Sequence, residues 1–404
     1  MINNTDSEKF ANIIQMIMVN HLFGWLRLPM SNLLVRNDII RFCCSRSWQT
    51  NHILKLLFAI NKIEDIKNYK SIIDDVKKLP LKPENAVDRL LTLACSNDFQ
   101  RSAETGFELI IDSINLANIH YPQIRGDAFF RLTKNEDESL VAPENKIFIA
   151  ESASELYKTI SGVEALIIEG SLALGMQDET SDIDLVAYCS KIPDIDVRKK
   201  RLMMIDPKCF IIPQSDRFTL NNVYVHVDFE TITNIENTFG IFPQSICKSF
   251  GLWEAIQIGK VIWDPKQRFS KWKDNVLKMS SDYGNQFIIE LTKLLLEEKR
   301  QFDVAVDNND YLYCSLLLGN ILTLYFQILG VMNYRFLFFP KWINNTLKNM
   351  NHKPDNAYNR FIQILSKRID YNTLREYSNE LQKLINELLE LSKMRISYLS
   401  ANRS

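Results

Sequence analysis

A glycine-serine pair set between two short apolar runs constrains this chain more than any other feature. Residues 165 to 189 read Ala-Leu-Ile-Ile-Glu-Gly-Ser-Leu-Ala-Leu-Gly-Met-Gln-Asp-Glu-Thr-Ser-Asp-Ile-Asp-Leu-Val-Ala-Tyr-Cys. The runs Glu164 to Glu169 and Ile183 to Cys189 suit buried strands and are too short for ordinary helices. Gly170 permits a tight strand-to-helix turn and a close backbone approach to a ligand. Ser171 stands where that helix would begin, so its hydroxyl and the neighbouring N–H groups face an anion, triphosphate being the natural guest. Asp182 and Asp184 are two residues apart, a spacing that on a strand puts both carboxylates on one face and Ile183 in the core. Carboxylates held side by side repel unless a cation lies between them. Hard oxygen ligands of this kind suit Mg2+ or Mn2+.

A third strand is expected over Val223 to Ile232, after the turn-like pair Asn221-Asn222. Alternation puts Tyr224, His226, Asp228 and Glu230 on one face and Val223, Val225, Val227 and Phe229 on the other. A two-metal site needs a third acid, and Asp228, central on its face, is the expected one. Glu230 is the reserve, as third ligand or as base. His226 reads as a partly exposed strand residue. A helix over Asp196 to Met204 and an edge strand over Lys260 to Trp263 complete a small mixed unit, with Arg198-Lys199-Lys200-Arg201 on a solvated helix face.

Both flanks read as helices. Phe10, Ile13, Ile14, Ile17 and Met18 repeat at the helical period, as do His52 to Ile63, Pro83 to Cys95 and the face Phe107, Ile110, Ile111 and Ile114. Beyond Pro265 the candidates are Asp282 to Val306, Asp310 to Leu329, Trp342 to Met350, Asn359 to Ser366 and Asn372 to Leu399. In the last, Leu374, Leu381, Leu384, Leu388 and Leu391 mark a buried face. A polar stretch from Asn135 to Asn145 separates the N-terminal helices from the strands. The expectation is an α+β protein: a helical region over 1–147, a mixed-sheet core over 148–265 and a C-terminal helical bundle over 266–404.

With 48 Lys and Arg against 49 Asp and Glu among 404 residues, the net charge is −1, which leaves room for a local basic groove and not for a large nucleic-acid footprint. The seven cysteines include no Cys-x-x-Cys pair and the five histidines fall at no zinc-ligand spacing, so buried thiols in a reducing compartment are expected. The N-terminus lacks the pattern of a signal peptide, and the most apolar stretch, Leu316 to Phe326, is interrupted by Gly319, Asn320 and Thr323. A cytoplasmic protein without a membrane span is expected.

Gly170-Ser171 followed by Ser181-Asp182-Ile183-Asp184-Leu185 resembles the signature of the polymerase-β-like nucleotidyltransferase superfamily, which includes antibiotic nucleotidyltransferases, CCA-adding enzymes and poly(A) polymerases. In the tail, Asn309-Asp310-Tyr311, Met332-Asn333-Tyr334-Arg335 and Phe339-Pro340-Lys341-Trp342 are similar to a bacterial family in which a nucleotidyltransferase domain precedes a helical one. The two resemblances span about residues 150 to 345, and the first 145 residues fall outside both.

The resemblance implies a fold, a reaction and a division of labour. Asp182 and Asp184 would hold Mg2+ against the phosphates of an NTP, ATP foremost, with Gly170, Ser171 and Ser181 on the nucleotide. Asp228 would share the metal, or Glu230 would take the proton of the acceptor hydroxyl. Lys341 or Arg335 would bring a cation to the phosphates. The hydroxyl of a small-molecule acceptor attacks the α-phosphorus and pyrophosphate leaves, with catalysis by positioning and charge neutralisation. The alternatives are transfer to a macromolecule, either a tRNA end or a protein side chain that becomes AMPylated, and a catalytically silent binding module.

Overall fold

The computed structural model describes residues 4–27, 30–64, 72–124, 142–240, 246–337, 343–370 and 372–401. They form an α+β protein. The strands β1 (Val163–Ile168), β2 (Ile183–Cys189), β3 (Phe210–Ile212), β4 (Ser215–Leu220), β5 (Val223–Thr231) and β6 (Lys260–Trp263) make one mixed sheet, ordered β3-β4-β5-β2-β1-β6. Only β2 and β5 pair in parallel. β2 and β6 fall where the sequence puts them, and β1 and β5 within a residue of it. The hairpin from β4 to β5 turns on Asn221 and Asn222, at φ 49° and 62°, the left-handed pair that a two-residue turn demands.

β3 and β4 escape a reading based on alternation, because β4 carries Asp216 and Arg217 among its residues. Asp216 is fully buried, and its partner is Arg198 of the helix Ile195–Leu202. The basic run expected on a solvated face is therefore split. The Arg198 side chain lies inside, pairing with Asp216 Oδ1, donating to the carbonyls of Ile212 (3.0 Å) and Pro213 (3.1 Å), and standing 4.5 Å over the Phe229 ring. Tyr157 donates to Asp216 Oδ2 at 3.0 Å. A buried charge is tolerable only when paired and hydrogen-bonded in this way.

Two compact units make up the chain. One comprises residues 1–134, 285–333 and 339–404; the other comprises 135–284 and 334–338. The N-terminal and C-terminal helices, expected as separate domains, thus share a unit. The helix Tyr311–Met332 supplies the reason. It is buried around most of its circumference and packs on Ile39–Ile60, Ala86–Cys95 and Leu374–Ala401, burying Leu316, Leu317, Leu318, Ile321 and Leu322. Its length and mean hydropathy of 1.7 meet what a membrane span requires, and 83% of that window is buried inside the protein. Leu374, Leu381, Leu384 and Leu388 of the last helix are buried as their spacing predicts. An additional helix, Arg268–Asp282, precedes the expected one, which runs Gly284–Asp307.

In the sheet unit, the helix Lys146–Lys158 covers one face, where Ile149, Ala153 and Tyr157 pack with Leu166, Ile183, Leu185, Val225, Val227 and Phe229. The other face is covered at the far end of β2, where Tyr188 stacks with Phe269 and Trp272 of Arg268–Asp282. The start of β2 and the middle of β5 stay open on that face.

Candidate functional site

Exposure along β2 and β5 marks the opening. Ile183 and Val225 are fully buried, whereas the side chains of Asp184, His226 and Asp228 are 31%, 24% and 51% exposed. Parallel pairing sets Asp184 opposite His226 and Val186 opposite Asp228, so the three polar residues share one face within two registers. Asp182 is half-buried, one residue before β2, with Ile183 pointing into the core between it and Asp184.

The Gly-Ser turn meets this face directly. β1 ends at Ile168, and Glu169 N–H donates to Asp184 O at 2.9 Å, which carries the ladder to the edge of the site. Gly170, at φ +63°, opens a five-residue helix, Gly170–Leu174. A Cβ built on Gly170 would lie 2.3 Å from Asp184 Oδ2. The backbone angle therefore favours glycine there, and a side chain would also have to push the Asp184 carboxylate aside. Lys260 of β6 places its ammonium 3.4 Å from Leu172 O, bringing a cation to the same turn.

The loop between Gly175 and Asp182 is tied down from within. Asp178 Oδ1 accepts from Thr180 N (3.0 Å), Thr180 Oγ1 (2.9 Å) and Ser181 Oγ (2.9 Å). Lys146, almost completely buried, donates to the carbonyls of Asp178 (2.7 Å), Glu179 (3.0 Å) and Ser181. This lysine anchors the loop that delivers Asp182. Ser181, expected on the nucleotide, is buried with its hydroxyl committed to Asp178.

His226 is the residue whose place the sequence conceals. Its Nε2 lies 2.9 Å from Asp228 Oδ1 and 2.8 Å from Ser215 Oγ, and its Nδ1 lies 3.6 Å from Asp184 Oδ1. Burial works against the charged ring, but the hydrogen bonds and charges of Asp184 and Asp228 outweigh it and push the pKa up to about 9. The His226 ring thus sits between two of the three expected metal ligands. Only the strand register, which sets His226 opposite Asp184, reveals this; alternation alone put it on the right face without naming its partner.

The remaining expected residues lie apart. Glu230 pairs with Tyr188, four residues along from Asp184, and accepts from Asn234 Nδ2 at 2.9 Å. Arg335 is exposed, and Lys341 falls outside the described residues. Among the described residues, no group of three or more His, Cys, Asp or Glu is arranged to hold a metal ion. At Asp182 and Asp184 the donor chemistry fits a hard divalent cation. At Asp228 the carboxylate is engaged by His226.

No protein-family model matches this sequence. No curated protein matches it. Among solved structures, it is similar to a nucleotidyltransferase-like protein from Exiguobacterium sibiricum 255-15, with 11% identity and a TM-score of 0.32, over 62% of this chain and 77% of the other.

Proposed function

We propose that this protein is a nucleotidyltransferase that moves a nucleoside monophosphate from an NTP, ATP foremost, to a hydroxyl of a small acceptor in a reducing, cytoplasmic setting. The observation that carries this reading is the contact between the Gly-Ser turn and the acidic strand: a Cβ on Gly170 would meet Asp184 Oδ2 at 2.3 Å. A backbone that must stay bare beside a carboxylate pair is what phosphate chemistry with a divalent cation requires.

Asp182 and Asp184 would hold Mg2+ or Mn2+. Such an ion, when bound, neutralises the phosphates and favours in-line attack at the α-phosphorus with loss of pyrophosphate. The chain's own residues do the rest. Gly170 and Ser171 bring backbone N–H groups towards the phosphates, and Lys260 adds a positive charge beside the same turn. His226 holds Asp184 and Asp228 in a fixed relation, and Asp228 becomes available to a metal or to the acceptor proton once that hydrogen bond opens.

The test is titration calorimetry of ATP, GTP, CTP and UTP with Mg2+ on the wild type and on an Asp182→Asn/Asp184→Asn double variant. Metal-dependent binding of an NTP that disappears in the variant supports the reading. Absence of binding to folded wild type removes it.

A second reading has one observation in its favour. His226 already engages Asp184 and Asp228, two of the carboxylates a metal would need, which is the arrangement a silent binding module would tolerate. Nucleotide binding without pyrophosphate release across an acceptor screen would favour that reading.

A further inference from the structure

The helical unit contains a second place with the character of a ligand site, remote in sequence from the Gly-Ser and Asp-Ile-Asp segments. A cavity of about 200 Å3 opens where the helices Ile39–Ile60, Gly284–Asp307 and Tyr311–Met332 meet. Trp48, Asn51, Glu298, Gln301, Tyr313 and Asn320 contribute to its wall, and no lysine, arginine or histidine among the described residues lines it.

Glu298 is the feature that needs an explanation. Burial raises its pKa, with the charge of Glu297 adding to the effect, while a hydrogen bond from Asn320 Nδ2 at 3.1 Å opposes it. Among the described residues that line the cavity, none carries a positive charge to offset it. A carboxylate taken partly out of water without a counter-charge is a standing cost that a bound cation would relieve.

The surroundings are built rather than accidental. Tyr313 OH donates to Gln301 Oε1 at 2.6 Å, which fixes one wall. Trp48 is held edge-on by His52, with centroids 4.8 Å apart at 81°, and by His21 at 5.6 Å and 72°. Two helices approach closely here, since Ser47 Oγ donates to Leu316 O at 2.9 Å and a Cβ on Gly319 would fall 2.3 Å from Ser47 Oγ. The cavity is smaller than the roughly 300 Å3 at which drug-sized pockets begin. Aromatic rings lining such a space attract cations through their negative faces. An ammonium brings three donors and no acceptor, which matches a carboxylate among side-chain oxygens.

We propose that this cavity binds a small primary alkylammonium, its charged end on Glu298 and its alkyl stem against Trp48 and Leu316. The assignment is independent of the nucleotidyltransferase reading, because every residue it uses lies in the helical unit.

The experiment is titration calorimetry of the full chain with n-butylammonium chloride, with n-butanol as the uncharged counterpart and potassium chloride as the inorganic-cation control. Saturable binding of the amine and none of the alcohol is expected. Glu298→Gln keeps the acceptor for Asn320 and removes the charge, and it should weaken binding by about tenfold or more without lowering the Tm of the ligand-free protein. Trp48→Leu should weaken it several-fold, while Asp182→Asn/Asp184→Asn should leave it as in the wild type. The proposal is overturned by absence of saturable heat, by equal binding of n-butanol, by displacement with equimolar potassium, or by a Glu298→Gln variant that binds as the wild type does.

Discussion

Asp184 Oδ2 occupies the position from which a side chain on Gly170 would grow, 2.3 Å from where its Cβ would stand. The Gly-Ser turn and the acidic strand are therefore one packed element. Gly170→Ala should destabilise the protein by ~1–2 kcal/mol through its left-handed backbone alone, and by more through displacement of the carboxylate. Urea unfolding measures the first effect. Mg2+-dependent NTP binding, which should be lost even where the variant stays folded, measures the second.

The loop before Asp182 depends on one buried ammonium. Lys146→Met fills the same space but leaves the carbonyls of Asp178, Glu179 and Ser181 without their donor, at a cost of ~1–3 kcal/mol for each group left unsatisfied. Hydrogen exchange should accelerate across residues 178–182 ahead of the rest of the sheet unit. Unchanged exchange there would mean that Lys146 does not anchor the loop.

The buried pair of Arg198 and Asp216 gives a large and specific stability effect. Arg198→Ala strands the carboxylate of Asp216 in the core and should cost ~3–5 kcal/mol. The Asp216→Asn/Arg198→Met double variant should recover much of that loss, because both charges are then gone. Denaturant midpoints of the single and double variants check this.

His226 should make stability depend on alkaline pH. Its folded pKa of about 9 lies above the ordinary 6.5, so the folded state holds the proton more tightly than the unfolded chain does. The resulting stabilisation is complete below pH 6.5 and is lost as pH rises from there through 9. The Tm of the wild type should fall over that window, while that of His226→Gln should change less. A ring titration by NMR should move towards 6.5 in Asp184→Asn.

Lys260 tests the phosphate side of the site. Lys260→Met removes the charge beside Leu172 O while keeping much of the stem, and it should weaken NTP binding about tenfold with little change in Tm. An unchanged affinity would place the phosphates away from this turn.

Much of the candidate site's face was legible in the primary structure because strand geometry is local. The two-residue spacing of Asp182 and Asp184, the bare Gly170 and the alternation through Asp228 depend only on neighbours along the chain, and the strands formed within a residue of where these patterns put them. The hairpin β3–β4 did not show, because its buried Asp216 is acceptable only beside Arg198, eighteen positions earlier. Ser181 shows the same limit: its hydroxyl was free on paper and is spent on Asp178 in the fold.

What the sequence by itself determined is thus the α+β class and the positions of β1, β2, β5 and β6, since these follow from periodicity and from the backbone demands of glycine and asparagine. What only the tertiary structure decided is which charges meet. Parallel pairing of β2 with β5 put His226 between Asp184 and Asp228, and packing around the apolar helix Tyr311–Met332 joined the first and last helices into one unit. Neither can be read along the chain, because a charge or an apolar face acquires its partner only when distant segments come within a few ångströms.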